Sequence, residues 1–296
     1  MKLATFVHQE VEQVGLVDVA DGTITPVGLR GVDQRPTMLG LVRAGANQID
    51  LEPVGSALTL DRVQLRAPIP RPIRNVLCVG KNYYDHAREF SRSGFDSSAA
   101  SGEIPDYPIF FSKVPESVVG PVDCIRIDPT VSEAVDYEVE LALVIGPGGR
   151  NIPADRAFDH VWGYTIINDV TARDIQGRHK QWLLGKSQDT FCPMGPWIVT
   201  ADELDATAVD VSTHVNGELR QMANTRDLIF DIPTMVATAS NGITLVAGDI
   251  IATGTPAGVG IGFDPPRFLQ AGDVVRMDIA GIGTIENRVE SMGAPR

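Results

Sequence analysis

The sequence predicts an α+β, β-rich fold that carries a small N-terminal β-rich module. The 29 glycines and 20 prolines fall mostly between short apolar runs, a pattern typical of many short strands joined by tight turns. The chain has 296 residues and is 43% hydrophobic. A chain of that length and composition can bury a substantial core in one large domain, with or without a small appendage, and needs no disulfides to do so.

The N-terminal module is predicted to cover residues 1–66. Short strands are expected at 6–7, 14–19 and 23–26, because β-branched and apolar residues there are bounded by turn residues, and a short helix is expected at 39–46. Residues 67–74 read APIPRPIR, in which the prolines restrict the backbone, so this segment is the predicted boundary.

Beyond the boundary the same criteria predict a strand-rich chain with few helices. Strands are predicted at 76–80, 108–112, 137–145, 161–168, 197–199, 209–215, 250–253 and 274–279. Helices are predicted at 83–92, 171–184 and 234–240. Residues 91–101 are rich in Ser, Gly and Ala and are predicted to form a mobile loop, which directly follows the first of these helices.

Composition and charge exclude several classes of protein. The net charge of −13 argues against nucleic-acid binding and means that a small acidic substrate would need a local cation to capture it. No signal peptide is seen, and no stretch approaches the roughly 20 apolar residues that span a membrane. The three cysteines are Cys78, Cys124 and Cys192, too few and too scattered for a disulfide framework or a zinc site. The sequence therefore predicts a cytoplasmic protein.

Two glutamates on the clearest strand suggest a metal site. In the run DYEVELALVI, Glu138 and Glu140 would lie on one face, because side chains alternate along a strand. Two uncompensated carboxylates are costly to bury, whereas a hard cation such as Mg²⁺, Mn²⁺ or Ca²⁺ between them removes the cost. The alternative is a solvent-facing strand on which both glutamates are simply hydrated.

A third carboxylate follows the next long apolar run. Asp169 lies where the strand ending at Asn168 gives way to a helical pattern, a usual position for a ligand. Alternatively, Asp169 or Thr171 serves only to cap the following helix.

His86 and Glu89 are spaced i, i+3, so on a helix they face the same side. A carboxylate beside an imidazole orients the ring and raises its basicity, and such a pair can act as a general base. The alternative is an ordinary solvated helix face.

Two glycine-containing motifs resemble nucleotide-binding loops but fail their patterns. Gly185-Lys186-Ser187 lacks the glycine that a phosphate-binding loop needs, and 254–262 lacks the order of a dinucleotide fingerprint. Lys186 is instead interpreted as a cation that stabilises negative charge on a substrate oxygen, and Thr255 as a ligand-binding hydroxyl. A surface lysine and a plain surface loop are the respective alternatives.

Taken together, these motifs resemble the fumarylacetoacetate hydrolase family. The matching runs are VGKNY with His86, YEVEL at 137–141, NDVTARDIQ at 168–176, GKS with CPMGP at 185–196, and TGTPAGVG at 253–260. Their order and spacing match over residues 72–290, which is the predicted catalytic domain.

The resemblance implies a mixed β-roll catalytic domain and a homodimer. It also implies Mg²⁺ or Mn²⁺ bound by Glu138, Glu140 and Asp169, and a catalytic group made of His86, Glu89 and Lys186. Arg173, Gln176 and Thr255 fall on positions that contact substrate in relatives.

The function predicted from this resemblance is hydrolysis of a C–C bond in a small 2,4-diketo acid, with His86 and Glu89 activating water. The enzyme would act in aromatic catabolism and would bind neither nucleic acid nor a membrane. Isomerase, decarboxylase or hydratase activity on a related 2-oxo or 2-hydroxy-dienoic diacid is the alternative, because all of these reactions share an enolate of the substrate as intermediate. An alternative of another class is a non-catalytic protein that binds a sugar acid or a dicarboxylate.

Overall fold

The computed structural model describes residues 1–45, 49–94 and 104–292. Its strands are β1 (Lys2–His8), β2 (Val11–Asp18), β3 (Thr23–Leu29), β4 (Leu51–Pro53), β5 (Leu58–Thr59), β6 (Gln64–Leu65), β7 (Val76–Gly80), β8 (Ile109–Lys113), β9 (Val118–Val119), β10 (Ile125–Ile127), β11 (Val135–Asp136), β12 (Val139–Ile145), β13 (Val161–Asn168), β14 (Thr171–Ala172), β15 (Cys192–Thr200), β16 (Asp210–Val215), β17 (Glu218–Asn224), β18 (Ile250–Ala252), β19 (Val274–Ile279) and β20 (Gly283–Ser291). Its α-helices are α1 (Met38–Ala44), α2 (Tyr84–Arg92), α3 (Arg173–His179), α4 (Leu183–Lys186) and α5 (Ile232–Ser240). Short strands and few helices agree with the predicted α+β, β-rich class.

Most of the strands join one large mixed sheet. Its order is β4-β3-β2-β1-β15-β13-β12-β18-β7-β8, with β5, β6 and β9 attached to β3, β1 and β15. A second sheet has the order β10-β20-β19-β16-β17, and β11 pairs with β14. No helix in the described part of the chain is long and apolar enough to cross a membrane.

The N-terminal strands extend the large sheet. Strand β1 pairs antiparallel with β15, so that Lys2 lies opposite Val199 and Leu3 opposite Ile198. Phe6 belongs to the same buried apolar cluster as residues of β12 and β13. The main chain thus links the predicted module to the rest of the fold by strand pairing, and the division at residue 66 stays a prediction.

Strand β12 lies at the centre of the large sheet and is buried throughout. Its residues Val139, Leu141 and Leu143 pack into one apolar cluster, while Ala142 and Val144 pack into the other. The predicted alternation is therefore correct, with both faces covered. Because β12 runs antiparallel to β13, the start of β12 lies beside the end of β13, with Val139 opposite Asn168. This pairing brings the residues around 138 close to those around 169.

The predicted helix at 171–184 is wrong in its extent. Residues 171–172 form β14, α3 follows, and a break centred on Lys180, at φ = 58°, separates α3 from α4. The positive φ of Lys180 ends α3, since an α-helix needs a negative φ. The capping alternative is also wrong, because α3 begins after Ala172 without a side-chain cap. The hydroxyl of Thr171 donates instead to the carbonyl of Asp169, at 2.9 Å.

Other predicted elements are present with shifted bounds. The predicted strand at 197–199 is part of the longer β15, and the strand at 137–145 begins only at Val139. Strand β17 and strand β20 were not predicted at all, because their exposed polar residues alternate with few apolar ones. Most of the predicted loop at 91–101 lies outside the described residues, as does the last residue of the predicted helix at 39–46.

Candidate metal centre and active site

Three buried carboxylates meet where β12 begins and β13 ends. Glu138, Glu140 and Asp169 are 3%, 2% and 0% exposed, and each offers an oxygen within 4.8 Å of the others. The backbone fixes this approach, because the Asp169 N–H donates to the Glu138 carbonyl at 2.9 Å. The Asn168 side chain adds a second link by accepting from the Glu138 N–H at 3.1 Å. The structure thus brings together the three residues that were predicted to be ligands.

Two lysines surround these carboxylates. Lys186 Nζ donates to Glu138 Oε2 at 2.7 Å and to Asp169 Oδ2 at 2.6 Å. Lys113, which ends β8, is fully buried and donates to Asp169 Oδ1 at 2.6 Å. The suggestion that Lys186 is only a surface lysine on a turn is therefore wrong.

An arginine completes this set of cations. Arg173 Nη2 lies 2.5 Å from Glu138 Oε1, and its Nε donates to Asp136 Oδ2 at 2.9 Å. Asp136 also accepts from the backbone N–H groups of Gly260 and Ile261, at 2.6 and 3.1 Å. Arg173 therefore connects the carboxylate cluster to the glycine-rich loop that follows β18.

Glu138 and Glu140 differ in their proton affinity. Burial raises the pKa of Glu140 well above its ordinary value, and the nearby charges of Asp169 and Glu138 raise it further. Burial also opposes ionisation of Glu138, but Arg173 and Lys186 outweigh it and hold the pKa of Glu138 well below its usual range. Burial alone would lower the pKa of Lys186, yet Asp169 and Glu138 raise it, so this lysine is a cation.

The donor set fits a hard divalent cation. Three carboxylate oxygens in a buried cluster are the ligands that Mg²⁺ and Mn²⁺ prefer, and no soft sulfur or imidazole ligand is included. The carboxylate of Glu140 accepts from the Gly254 N–H at 2.9 Å, which orients it within the cluster. The negative charge that raises the pKa of Glu140 is what a divalent cation would neutralise.

The predicted His86–Glu89 pair is formed on the buried side of α2. His86 Nδ1 lies 3.2 Å from Glu89 Oε2, and His86 is 5% exposed. The other oxygen of Glu89 accepts from the Gly258 N–H at 3.0 Å. The pair is therefore not part of a solvated helix face, and the glycine-rich loop fixes its carboxylate.

A small cavity of about 20 Å³ lies between His86 and the carboxylates of Glu138 and Glu140. The predicted site residues that line it are His86, Glu138, Glu140, Arg173, Gln176, Lys186 and Thr255. Residues that line it but were not predicted are Val79, Gly80, Lys81, Phe90, Phe111 and Trp182. The apolar side chains among these carried no signal in the sequence, because they resemble ordinary core residues.

Hydrogen bonds hold Thr255 and Gln176 at the cavity wall, whereas Arg74 is bound elsewhere. Thr255 Oγ1 accepts from Gln221 Nε2 at 2.8 Å, and Gln176 Oε1 accepts from Arg173 Nη1 at 3.2 Å, so both side chains are held at the cavity wall. Arg74, by contrast, donates to Asp249 at 2.7 Å and is 44% exposed. Arg74 therefore lies outside the site.

Comparison with protein families identifies a single match that covers most of the chain. The model described as "Fumarylacetoacetate (FAA) hydrolase C-terminal" matches residues 75–290. Oxaloacetate tautomerase YisK of Bacillus subtilis (strain 168) is 49% identical over 232 residues, which are 78% of this chain and 74% of that protein. The mitochondrial oxaloacetate tautomerase Fahd2a of Rattus norvegicus is 39% identical over 289 residues, which are 95% and 88% of the two chains.

Solved structures extend the similarity over nearly the whole chain. A fumarylacetoacetate hydrolase from the psychrophilic Exiguobacterium antarcticum is 41% identical with a TM-score of 0.84, covering 99% of this chain and 100% of that one. A 2-hydroxyhepta-2,4-diene-1,7-dioate isomerase from Mycobacterium marinum is 34% identical with a TM-score of 0.78 and the same coverage.

Proposed function

The chain belongs to the fumarylacetoacetate hydrolase family, and from that premise we propose that it is a divalent-metal-dependent tautomerase of a small 2-oxo dicarboxylic acid. Oxaloacetate is the model substrate. The single observation that carries the proposal is the His86–Glu89 pair, whose imidazole lines the same cavity as Glu138 and Glu140. The names of two relatives, both oxaloacetate tautomerases, support the same reaction.

Hydrolysis of a 2,4-diketo acid, the reaction predicted from the sequence, is not confirmed. Relatives from Bacillus subtilis and Xenopus laevis are named as oxaloacetate tautomerases, and one structural neighbour is named as an isomerase, so the isomerase alternative has the better support. A neighbour named as a hydrolase keeps C–C cleavage as the second candidate. Both reactions use the same cavity and differ in whether a water molecule attacks the substrate.

The resident cation would be held by Glu138, Glu140 and Asp169, and when bound it supplies Lewis-acid polarisation of the 2-oxo group. Arg173 and Lys186 add fixed positive charge beside the carboxylate of Glu138. These cations stabilise the negative charge that develops on the 2-oxo oxygen of the substrate. Phe90, Phe111 and Trp182 line the cavity with apolar surface that limits access of water.

Proton transfer falls to the dyad in this mechanism. His86 takes a proton from the carbon next to the 2-oxo group and, as the imidazolium, returns it to the oxygen of that group, so the keto form becomes the enol with no atom added or lost. The reverse sequence returns the keto form. Glu89, held by the Gly258 N–H, keeps the imidazole in the orientation that this transfer requires.

The predicted homodimer, the cytoplasmic location and the place in aromatic catabolism stay predictions. The choice between Mg²⁺ and Mn²⁺ is also a proposal, since both accept carboxylate oxygens.

The test is the rate of keto–enol exchange of oxaloacetate, followed by ultraviolet absorbance with Mg²⁺ and with EDTA. We expect exchange that EDTA abolishes, and a loss of about 100-fold or more in kcat in H86N and E89Q, with metal affinity unchanged. His160→Asn is the matched control, because His160 directly precedes β13, about 30 Å along the strand from Asp169. Pyruvate release without exchange, or cleavage of an acylpyruvate alone, would contradict the proposal.

A further inference from the structure

A buried tyrosine that the mechanism above does not use is joined to the dyad through the glycine-rich loop. Tyr137, the residue before Glu138, is 0% exposed, and its hydroxyl donates to the Gly258 carbonyl at 2.9 Å. The N–H of the same glycine donates to Glu89 Oε1 at 3.0 Å, and Glu89 Oε2 lies 3.2 Å from His86 Nδ1. A chain of hydrogen bonds therefore runs from Tyr137 through Gly258 and Glu89 to the imidazole.

Gly258 has a backbone conformation that lets it connect these two side chains. Its φ is 102°, in the left-handed region that favours glycine. A Cβ at this position would lie only 1.9 Å from the carbonyl oxygen of Arg220, so the loop packs directly against β17. The N–H and C=O groups of Gly258 are separated by a single Cα. A hydroxyl that fixes the C=O therefore also limits the directions in which the N–H can point.

The loop on either side of Gly258 is anchored separately. Before it, Gln221 Nε2 donates to the Pro256 carbonyl at 2.8 Å, and Gln221 is fully buried. After it, the Gly260 N–H donates to Asp136 Oδ1 at 2.6 Å. Loss of the tyrosine hydroxyl should therefore loosen the short segment between these anchors and leave the rest of the loop in place.

We propose that Tyr137 is a positioning residue for proton transfer, because its hydroxyl fixes Gly258, which orients Glu89 and through it the imidazole of His86. This inference rests on the proposed function, in which His86 moves the proton. An ionised carboxylate only accepts hydrogen bonds, so Glu89 requires the proton of a neutral His86 to be on Nδ1 and leaves Nε2 as the base. When Gly258 can rotate, Glu89 can turn away and this tautomer is no longer favoured.

The test is Y137F, which removes the hydroxyl and keeps the ring. We expect kcat for oxaloacetate with Mg²⁺ to fall about 10-fold, with a smaller change in KM. Affinity for Mn²⁺ should stay unchanged, whereas a merely structural disturbance would reach the adjacent Glu138 and weaken it. In an E89A background Y137F should have no further effect on kcat, because no carboxylate remains to be held. Equal losses in the two backgrounds would overturn the inference.

A second readout does not depend on turnover. In protein with ¹⁵N-labelled histidine, H86N assigns the His86 signals among the five histidines. The wild type should carry the His86 proton on Nδ1, and in Y137F that proton should exchange with water about 10-fold faster or more. A wild-type proton on Nε2 would overturn the inference even if Y137F failed to fold, and an unchanged exchange rate in folded Y137F would overturn it as well.

Tyr164→Phe is the matched control. Tyr164 is a buried tyrosine on β13, about 17 Å along the strand from Asp169, and Y164F should change neither kcat nor the His86 signals. A wild type that holds the Nδ1 proton but shows no keto–enol exchange would refute the proposed function instead.

Discussion

Lys186 Nζ lies 2.6 Å from Asp169 Oδ2 and 2.7 Å from Glu138 Oε2, so one ammonium bridges two of the three carboxylates that form the candidate metal centre. Glu140, the third carboxylate, accepts instead from the Gly254 N–H. The cluster is therefore unevenly compensated: the negative charge of Glu138 is paired with Arg173 and Lys186, whereas burial and like charges oppose ionisation of Glu140. This asymmetry leads to predictions about metal binding and stability.

Replacing Glu140 by Gln should have opposite effects on metal binding and on the metal-free fold. Because the pKa of Glu140 is raised in the folded state, its charged form destabilises the metal-free protein. This cost is full above the raised pKa and fades as pH falls from there to the ordinary pKa of a glutamate. E140Q should therefore unfold at a higher temperature than the wild type in EDTA. In Mg²⁺ the order should reverse, because the variant loses more than about 100-fold in metal affinity. Calorimetric unfolding with and without Mg²⁺ measures both effects.

Glu116→Gln is the control, since Glu116 is exposed. This substitution should change neither the unfolding temperature in EDTA nor the metal affinity. A Glu140 variant that is less stable than the wild type in EDTA would show that the carboxylate stabilises the fold by another interaction.

Metal affinity should increase with pH as Glu140 loses its proton. A proton and a divalent cation compete for the same carboxylate, and the raised pKa of Glu140 moves this competition above the range of an ordinary glutamate. Titration calorimetry with Mn²⁺ over a pH series measures the dependence. A Mn²⁺ affinity that does not change with pH above the ordinary pKa of a glutamate would contradict the assignment of Glu140 as a ligand.

Gly262 should be essential for activity although it lies outside the cavity lining. A Cβ on Gly262 would lie 1.7 Å from Glu89 Oε1, so the Glu89 carboxylate must move away in G262A. His86 then loses its orienting partner, and we expect kcat to fall by about 100-fold. The displaced atoms include Cγ and Cδ of Glu89, and its carboxylate also loses the hydrogen bond from the Gly258 N–H. Gly55→Ala, whose Cβ would meet its nearest neighbour at an ordinary 3.5 Å, is the control.

Removing Arg173 should destabilise the fold as well as the site. Arg173 and Asp136 are 1% and 0% exposed and 2.9 Å apart, so R173M leaves a buried carboxylate without its cation. Such a loss costs about 3–5 kcal/mol of the free energy of unfolding. Neutralising the carboxylate as well, in R173M/D136N, should recover part of this cost. Denaturant unfolding gives the values. The control is R156M, which breaks the exposed Arg156–Asp159 pair and should change stability far less than R173M.

The strand alternation around Glu138 and Glu140 could be predicted from sequence because it depends only on local periodicity. Asp169 could be added because β13 ends with a clear apolar run, and His86 with Glu89 because both are on one helix. Each of these inferences needs only a few consecutive residues.

The partners of these residues depend on the topology and could not be read in the same way. Lys113 reaches Asp169 across 56 residues of chain, and the pairing of β1 with β15 joins residues nearly 200 positions apart. The division of 171–184 into two helices depends on the positive φ of Lys180. Neither this φ nor the positive φ of Lys81 has a signal in the local sequence pattern. Contacts of this kind are fixed by the packing of the whole sheet.

The most direct test of the account is a crystal structure of the protein soaked with Mn²⁺, in which anomalous scattering locates the ion. We expect one strong peak about 2.0–2.2 Å from an oxygen of each of Glu138, Glu140 and Asp169. A protein saturated with Mn²⁺ in solution but with its peak elsewhere would contradict it. So would a structure in which Glu138 and Asp169 are still bound only to Lys113, Arg173 and Lys186, and Glu140 only to the Gly254 N–H.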